Sequence, residues 1–526
     1  MNLTSAPPAR YPALQHRNFA LIWSGLLVSN MGTWMQNVAQ SWLIYKLTGN
    51  NPLYLGWLGL SFALPMVIVP PIGGVVADRV DRIRLLYITQ TCSALLAVLL
   101  AILTWSGAVR PAHILVTTFL GALLLAFDNP TRQALIPELV PREDLLNAIS
   151  LNSATYTGAA LVGPAIAGVL LGSVGAGWLF MLNAISFLAV IGALAAMRAA
   201  PRERRRSVSI GDALFGGFVY TARDRTVLLL LALSALAAVF GRSYQQLLPV
   251  FADDIWHVGS GGYGALLSAG GAGALIGAFA MASARDLRAH GRAMIASGLI
   301  FCAALAAFAL VPWFWVGVVL LVVVGVASTV FTTLIATVIQ LRVPGQLRGR
   351  VMSLYAITLI GLPSLGALGV AAVASGLGAS APAGWARAIL ALLDVLRVDV
   401  LTAGLGGAAG APRAIVFGVI ALLLVLLAAA RVFLRLRLSR PFRRRRDSRN
   451  GPRIDAESFF RTPQIDTHSV YVALAAWPVS GGSALPTPSL SACTIACSSV
   501  SALPAAHAAA KASSPSWARA IASARS

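Results

Sequence analysis

The residues Gly73-Gly74-Val75-Val76-Ala77-Asp78-Arg79-Val80-Asp81-Arg82-Ile83-Arg84 decide the fold, because they set a knot of charge between two long apolar runs. Leu53–Ala77 precedes the knot and Leu85–Trp105 follows it. Each is close to the ~20 residues that a helix needs to cross a hydrocarbon layer of ~30 Å. The knot is therefore read as a tight loop at the membrane surface. Gly73 and Gly74 lack Cβ atoms and let the end of the first span approach a neighbour closely. A carboxylate such as Asp78 is tolerated at the membrane edge only beside a cation or a helix N-terminus. Arg79, Arg82 and Arg84 supply the cations and mark the loop as cytoplasmic. Two readings stand: a basic anchor with no moving part, or a charge latch holding one conformation.

Composition agrees with a membrane protein. Of 526 residues 58% are hydrophobic and 11% charged, with a mean hydropathy of +0.78; soluble domains carry about 25% charged residues. The formal charge of +22 raises the question of nucleic acid. The arginines, however, flank apolar runs instead of forming one basic face, which fits membrane topology and excludes a nucleic-acid partner. Cys92 and Cys302 fall inside apolar runs as packing residues, and Cys493 and Cys497 lack further ligands nearby, so neither metal nor cofactor is expected. Met1 to Arg17 is polar and contains proline, so no cleavable signal peptide is expected.

Twelve apolar spans can be drawn: Phe19–Ser41, Leu53–Ala77, Leu85–Trp105, Ala112–Phe127, Ile149–Leu171, Gly175–Met197, Val227–Val250, Gly262–Ser283, Ala293–Val311, Trp313–Thr337, Met352–Gly376 and Ala414–Leu434. The predicted fold is an all-α membrane protein of two six-helix sets. Residues 1–197 form the first, 198–226 a cytoplasmic linker, and 227–434 the second with an insertion near 379–413; 435–526 form a basic, disordered tail. With both termini inside, the inner loops hold Arg79, Arg82, Arg84, Arg132, Arg142, the Arg198–Arg225 cluster, Arg285, Arg288, Arg292, Arg342, Arg348 and Arg350, whereas the outer loops hold Lys46, Arg110, Arg387, Arg397 and Arg413. That asymmetry sets the orientation. Trp385 to Leu401 reads as an amphipathic helix on the membrane surface.

The halves echo each other. Val140-Pro141 followed by Ser150-Leu151 recurs as Val343-Pro344 followed by Ser353-Leu354, and Gly32-Thr33-Trp34-Met35-Gln36-Asn37 of the first span has a partner in Gly241-Arg242-Ser243-Tyr244-Gln245-Gln246 of the seventh. Such duplication implies a two-fold axis along the membrane normal and a substrate path between the halves.

Polar side chains inside spans need protein partners or an aqueous cavity. Asn30, Thr33, Trp34, Asn37, Arg242 and Gln245 are the candidates for a substrate cavity, with Thr33, Asn37 and Gln40 expected on one face. Interhelical hydrogen bonding is the alternative for the neutral ones. Arg242 either receives an anionic substrate, pairs with an acid, or snorkels if the span starts later. Asp128 and Arg132 end the fourth span beside the Asp78 loop, where Asp128 is expected to pair with Arg82, as a static ion pair or as a group that titrates. Asp253 and Asp254 read as solvated loop acids. Gly163, Pro164 and Gly168 give the fifth span a small, bent face that is either a helix gate or a kink fitting the bundle.

The pattern Gly74-x-x-x-Asp78-Arg79-x-x-Arg82 between second and third spans resembles the loop signature of the major facilitator superfamily. With Arg17-Asn18-Phe19-Ala20-Leu21-Ile22-Trp23, Asp128-Asn129-Pro130-Thr131-Arg132-Gln133-Ala134 and Pro137-Glu138-Leu139-Val140, it resembles the branch containing bacterial enterobactin exporters and macrolide efflux pumps. Gly163-Pro164 resembles the fifth-helix motif of the superfamily's exporters, although Ala167 stands where a second glycine is usual. The resemblance covers roughly residues 10 to 376. It implies a monomeric secondary exporter of the bacterial inner membrane that moves a small molecule by alternating access, with protons as coupling ion. A lipid flippase of the same fold and a non-transporting receptor or scaffold are the alternatives. No Walker loop, HExxH or paired catalytic carboxylates occur, so an enzyme is not expected.

Overall fold

The computed structural model describes residues 11–69, 80–197, 220–283, 290–377 and 409–438, together with Leu390, Leu393, Val398 and Thr402. Among them every regular element is helical: α1 (Arg17–Leu47), α2 (Pro52–Ile68), α3 (Arg82–Trp105), α4 (Pro111–Leu139), α5 (Leu145–Ser173), α6 (Ala176–Ala196), α7 (Arg225–Ile255), α8 (Gly259–Ser283), α9 (His290–Leu310), α10 (Phe314–Arg342), α11 (Gly345–Leu377) and α12 (Gly410–Leu438). The expected loop residues Gly74, Asp78 and Arg79, most of the linker, nearly all of the surface helix at 385–401, and the tail with Cys493 and Cys497 lie outside the described residues.

Ten of these helices are long and apolar enough to cross a membrane. The described part of α2 is apolar but has 17 residues, while α1 has 31 and is interrupted by polar side chains. Local chemistry sets the boundaries. The Asn51 side chain accepts from Leu53 N at 3.0 Å with Pro52 in the first turn, and Asp81 accepts from Arg84 N at 2.9 Å; both satisfy orphan amides at helix starts. Gly49 and Asn50 take left-handed backbone at φ 64° and 61°, which reverses the chain between α1 and α2 within a few residues.

Packing repeats with an offset of six helices. In the first half α1 packs on α5 and α6, α2 on α4, and α3 on α4 and α6; in the second α7 packs on α11 and α12, α8 on α10, and α9 on α10 and α12. Across the seam between halves α2 packs on α11 and α5 on α8, two pairs that exchange under the same offset. This is the two-fold arrangement expected of parallel six-helix repeats. Large apolar side chains such as Leu95, Val169, Ile185 and Trp315 remain more than half exposed around the perimeter, as a surface solvated by acyl chains requires.

The fold divides into two faces. Arg82, Arg84, Arg142, Arg223, Arg225, Arg342, Arg348 and Arg350 stand at helix ends on one side, the arginine face; the α1–α2 reversal with Lys46 stands on the other, the turn face. Several helices outrun their expected limits. Most notably α4 does not end at Phe127 but continues to Leu139 through Pro130 and Pro137. Each proline deletes a single amide donor, and packing on α2 and α3 holds the rest of the helix in register.

Candidate functional site

At the turn face the two halves are stitched together by acids at the end of α7. The Tyr45 hydroxyl donates to Asp254 Oδ2 at 2.6 Å, and the Asn50 amide donates to Asp253 Oδ2 at 2.9 Å and to Asp254 Oδ1 at 2.6 Å. Lys46 forms an ion pair with Asp253. Asp253 and Asp254, expected as solvated loop acids, are thus the centre of a contact between halves. Sequence offered no sign of this, because the partners lie about two hundred positions away. Below this layer Trp42 of α1 stacks on Tyr263 of α8 with ring centroids 6.0 Å apart.

Glycines bring the seam helices together. A Cβ on Gly168 of α5 would lie 2.7 Å from the Ser260 carbonyl oxygen and 2.9 Å from Gly264 Cα, and Ser260 Oγ donates to the Gly168 carbonyl at 3.1 Å. Further in, Gly271 of α8 abuts the Ala160 carbonyl, the acceptor that Pro164 cannot serve. Gly56 and Gly59 of α2 abut Leu368 and Ala367 of α11. Gly163 points elsewhere: its missing Cβ makes room for Trp34 of α1, within the first half. Every hydrogen bond and ring contact that crosses the seam between described residues lies toward the turn face.

Midway through the membrane the seam opens. The α1 face that carries Ser41 and Tyr45 continues, at helical spacing, through Asn37, Trp34 and Asn30. Asn37 is exposed and Asn30, Thr33 and Trp34 are half-buried. Gln40 instead is 4% exposed and packs inside the first half, and Thr33 bonds back to the Ser29 carbonyl at 2.9 Å, so Asn37 does not share its face with Gln40. Gln36 accepts from Asn183 of α6 at 2.7 Å. Opposite, α7 abandons regular winding: Ala237–Arg242 is a wide π turn, Ser243–Leu247 a tight 3-10 turn, and Phe251–Ile255 wide again. This places Arg242 and Gln245 on a cavity of about 60 Å³, lined also by Tyr244, Gly270, Thr329 and Thr332. Tyr156 of α5 is 61% exposed in mid-span, and the Arg242 guanidinium lies near enough to act on its hydroxyl. A guanidinium at a helix centre costs about 2.5–3.5 kcal/mol on insertion scales. No ion pair with Arg242 exists among the described residues, so neither the acid-pairing nor the snorkelling reading of that residue applies; it faces a polar gap.

Toward the arginine face Asp128 is 2% exposed; its Oδ1 accepts from Thr89 Oγ1 at 2.9 Å and Gln90 Nε2 at 2.8 Å, and Arg132 pairs with it one turn along α4. The expected partnership of Asp128 with Arg82 does not form. Arg82 pairs with Glu138 and donates to the Ala134 carbonyl at 3.1 Å, because the longer α4 carries Glu138 to the loop and leaves Asp128 deeper. At the foot of α7 Asp224 accepts from Arg342 Nε at 2.9 Å and from Thr226 N at 2.9 Å. Partial burial pushes the Asp224 carboxyl up, but the Arg342 guanidinium and the Val227 and Thr226 amides outweigh it and hold it below the usual carboxylate range.

Two pseudo-symmetric six-helix sets, bonded to each other at one face and with a charged cavity in the second, have the architecture of a transporter of the major facilitator fold. The chain belongs to the transmembrane secretion effector family of that superfamily, whose profile matches residues 9–403. It is similar to the staphyloferrin A transporter of Staphylococcus aureus, 29% identical over 231 residues, 43% of this chain and 57% of that protein's length. It is also similar to the enterobactin exporter EntS of Shigella boydii, 26% identical over 372 residues, 69% of this chain and 86% of the relative. Among solved structures a bacterial homologue of the human lysosomal transporter Spinster, inward-facing and unoccupied, superposes with a TM-score of 0.60 at 18% identity, covering 82% of this chain and 99% of that one. The nucleoside transporter NupG gives 0.59 at 13% identity, covering 80% and 99%.

Proposed function

We propose that the chain exports a small molecule of siderophore-like or drug-like size across the bacterial inner membrane by alternating access, in exchange for protons. The observation that carries this reading is the seam: the bonds joining the halves gather on one face, while polar side chains of α1 and a cavity in the second half lined by Arg242 and Gln245 lie away from it. With the arginine face in the cytoplasm, and both termini there, this is the inward-open state of a carrier, ready to load cargo from inside. Residues 1–197 and 227–434 then rock as units about the linker, and the protein works as a monomer. Asn30, Thr33, Trp34, Asn37, Arg242 and Gln245 line the route; Gly163, Pro164 and Gly168 let α5 slide on α1 and α8; Gly74, Asp78, Arg79 and Arg82, backed by Asp128 and Arg132, form a latch that closes the arginine face in the opposite state. The name of one relative, an enterobactin exporter, supports an outward direction.

Everted membrane vesicles carrying the full chain test this proposal. Under an imposed pH gradient, acid inside, they should accumulate compounds from a cytosolic extract that vesicles without the chain do not. An uncoupler should abolish the difference. Accumulation that ignores the gradient removes proton exchange; equal uptake with and without the chain removes transport of these compounds.

A further inference from the structure

Resting on the transporter reading above, we infer that the cargo is an anion, and that Arg242, Gln245 and Thr329 form a subsite for its carboxylate-sized oxyanion head. Among the described residues the other charges leave Arg242 without a counter-ion. Asp128 is paired with Arg132, Glu138 with Arg82, Asp144 with His16, Asp224 with Arg342, and Asp253 with Lys46, while Asp254 receives Tyr45 and Asn50. The middle of the seam therefore carries a net positive charge, and a guanidinium presents a fork of donors matched to a carboxylate.

The neighbouring groups favour the same chemistry. Among the described residues the Thr329 hydroxyl makes no hydrogen bond, whereas Thr332 bonds back to the Ser328 carbonyl at 2.8 Å and Tyr355 donates to the Thr332 carbonyl at 2.7 Å. A hydroxyl with no hydrogen bond among the described residues thus borders the guanidinium, Gln245 beside it is bonded to Tyr244, and no described carboxylate lines the cavity; a cationic cargo would find the reverse of what it needs. Size adds a second constraint. The cavity measures about 60 Å³, against ~300–1,000 Å³ for a pocket that encloses a drug-sized ligand. It admits a head group, with the remainder of the molecule lying along Asn37, Trp34 and Asn30.

The test is a comparison of spent medium from a strain lacking the chain and carrying an empty vector, the wild type, Arg242→Gln or Arg242→Lys, each matched for protein in the membrane. The expected result is that compounds whose secretion needs the wild type are retained by an anion-exchange resin at pH 7. Arg242→Gln should lower their secretion about ten-fold or more, as loss of a charge-assisted bond implies, and Arg242→Lys should recover part of it. If the dependent compounds are neutral or cationic, or if Arg242→Gln secretes anions like the wild type, the anion subsite is overturned while export stands. If no compound depends on the chain, the export reading itself falls and the subsite with it. Should Arg242→Gln fail to reach the membrane, Thr329→Val gives the same comparison with the guanidinium intact.

Discussion

Tyr45 Oη sits 2.6 Å from Asp254 Oδ2, joining the end of α1 to the end of α7 across the seam. A hydrogen bond to a charged group contributes about 1.5–3 kcal/mol, enough to shift a two-state equilibrium roughly ten-fold or more. Replacing Tyr45 by Phe or Asp254 by Asn should therefore populate the state open at the turn face. In a background carrying Asn37→Cys, labelling of intact cells by a membrane-impermeant maleimide should speed up by about that factor. Unchanged labelling would remove this bond from the seal.

Asp128 and Arg132 form a buried pair whose side chains are 3% and 16% exposed. Asp128→Asn keeps an acceptor for Thr89 and Gln90 but strands the guanidinium, at a cost of the order of 3 kcal/mol. The purified protein should unfold at a lower temperature, and the double variant with Arg132→Gln should regain part of the loss. A double variant no better than the single one would mean the two charges are not coupled.

Gly264 faces the Pro164 carbonyl and Gly168 Cα across the seam, whereas Gly158, on α5, faces open space. Gly264→Val should wedge α5 from α8, and Gly158→Ala should leave the seam as it is. Spin labels at Ser173→Cys and Gly261→Cys report the separation at the turn face. The first substitution should lengthen that distance by several ångströms, on the scale of one side-chain layer, and the second should not.

The Asp224 carboxyl is held below its usual range mainly by Arg342, against the opposing pull of burial. A depressed carboxyl contributes stability above its unfolded pKa and loses it as pH falls through the folded value. The wild type should thus unfold at a higher temperature than Arg342→Gln near neutrality, with the gap closing below the ordinary carboxylate range. A gap that is constant from pH 7 to pH 3 would show that the pair does not stabilise α7.

Span number and helical class were readable because apolar runs of membrane length are hard to disguise. What eluded sequence reading was pairing between distant positions. Asp253 and Asp254 look solvated until Tyr45, Lys46 and Asn50 arrive from the other half. The extent of α4 was hidden by Pro130 and Pro137, which read as stops but are absorbed within a packed helix; the shorter expectation misplaced Glu138 and hence the partner of Arg82. On α1 the 3.6-residue period identified polar positions, yet only contact with α8 and α6 separates the seam-facing Asn37 from the inward Gln40. Arg242 was legible as an oddity, since a guanidinium within an apolar span demands explanation from sequence alone.

The uneven winding of α7 gives its middle a supply of slack. A wide turn carries a residue more than a regular one needs, and each residue of an α-helix advances the azimuth by about 100°. Converting the wide Phe251–Ile255 segment, which begins between Arg242 and the Asp253 and Asp254 anchor, to ordinary winding therefore swivels Arg242 relative to that anchor by about a quarter turn. A screw of that kind couples what the guanidinium holds to whether the far end of the same rod stays fastened.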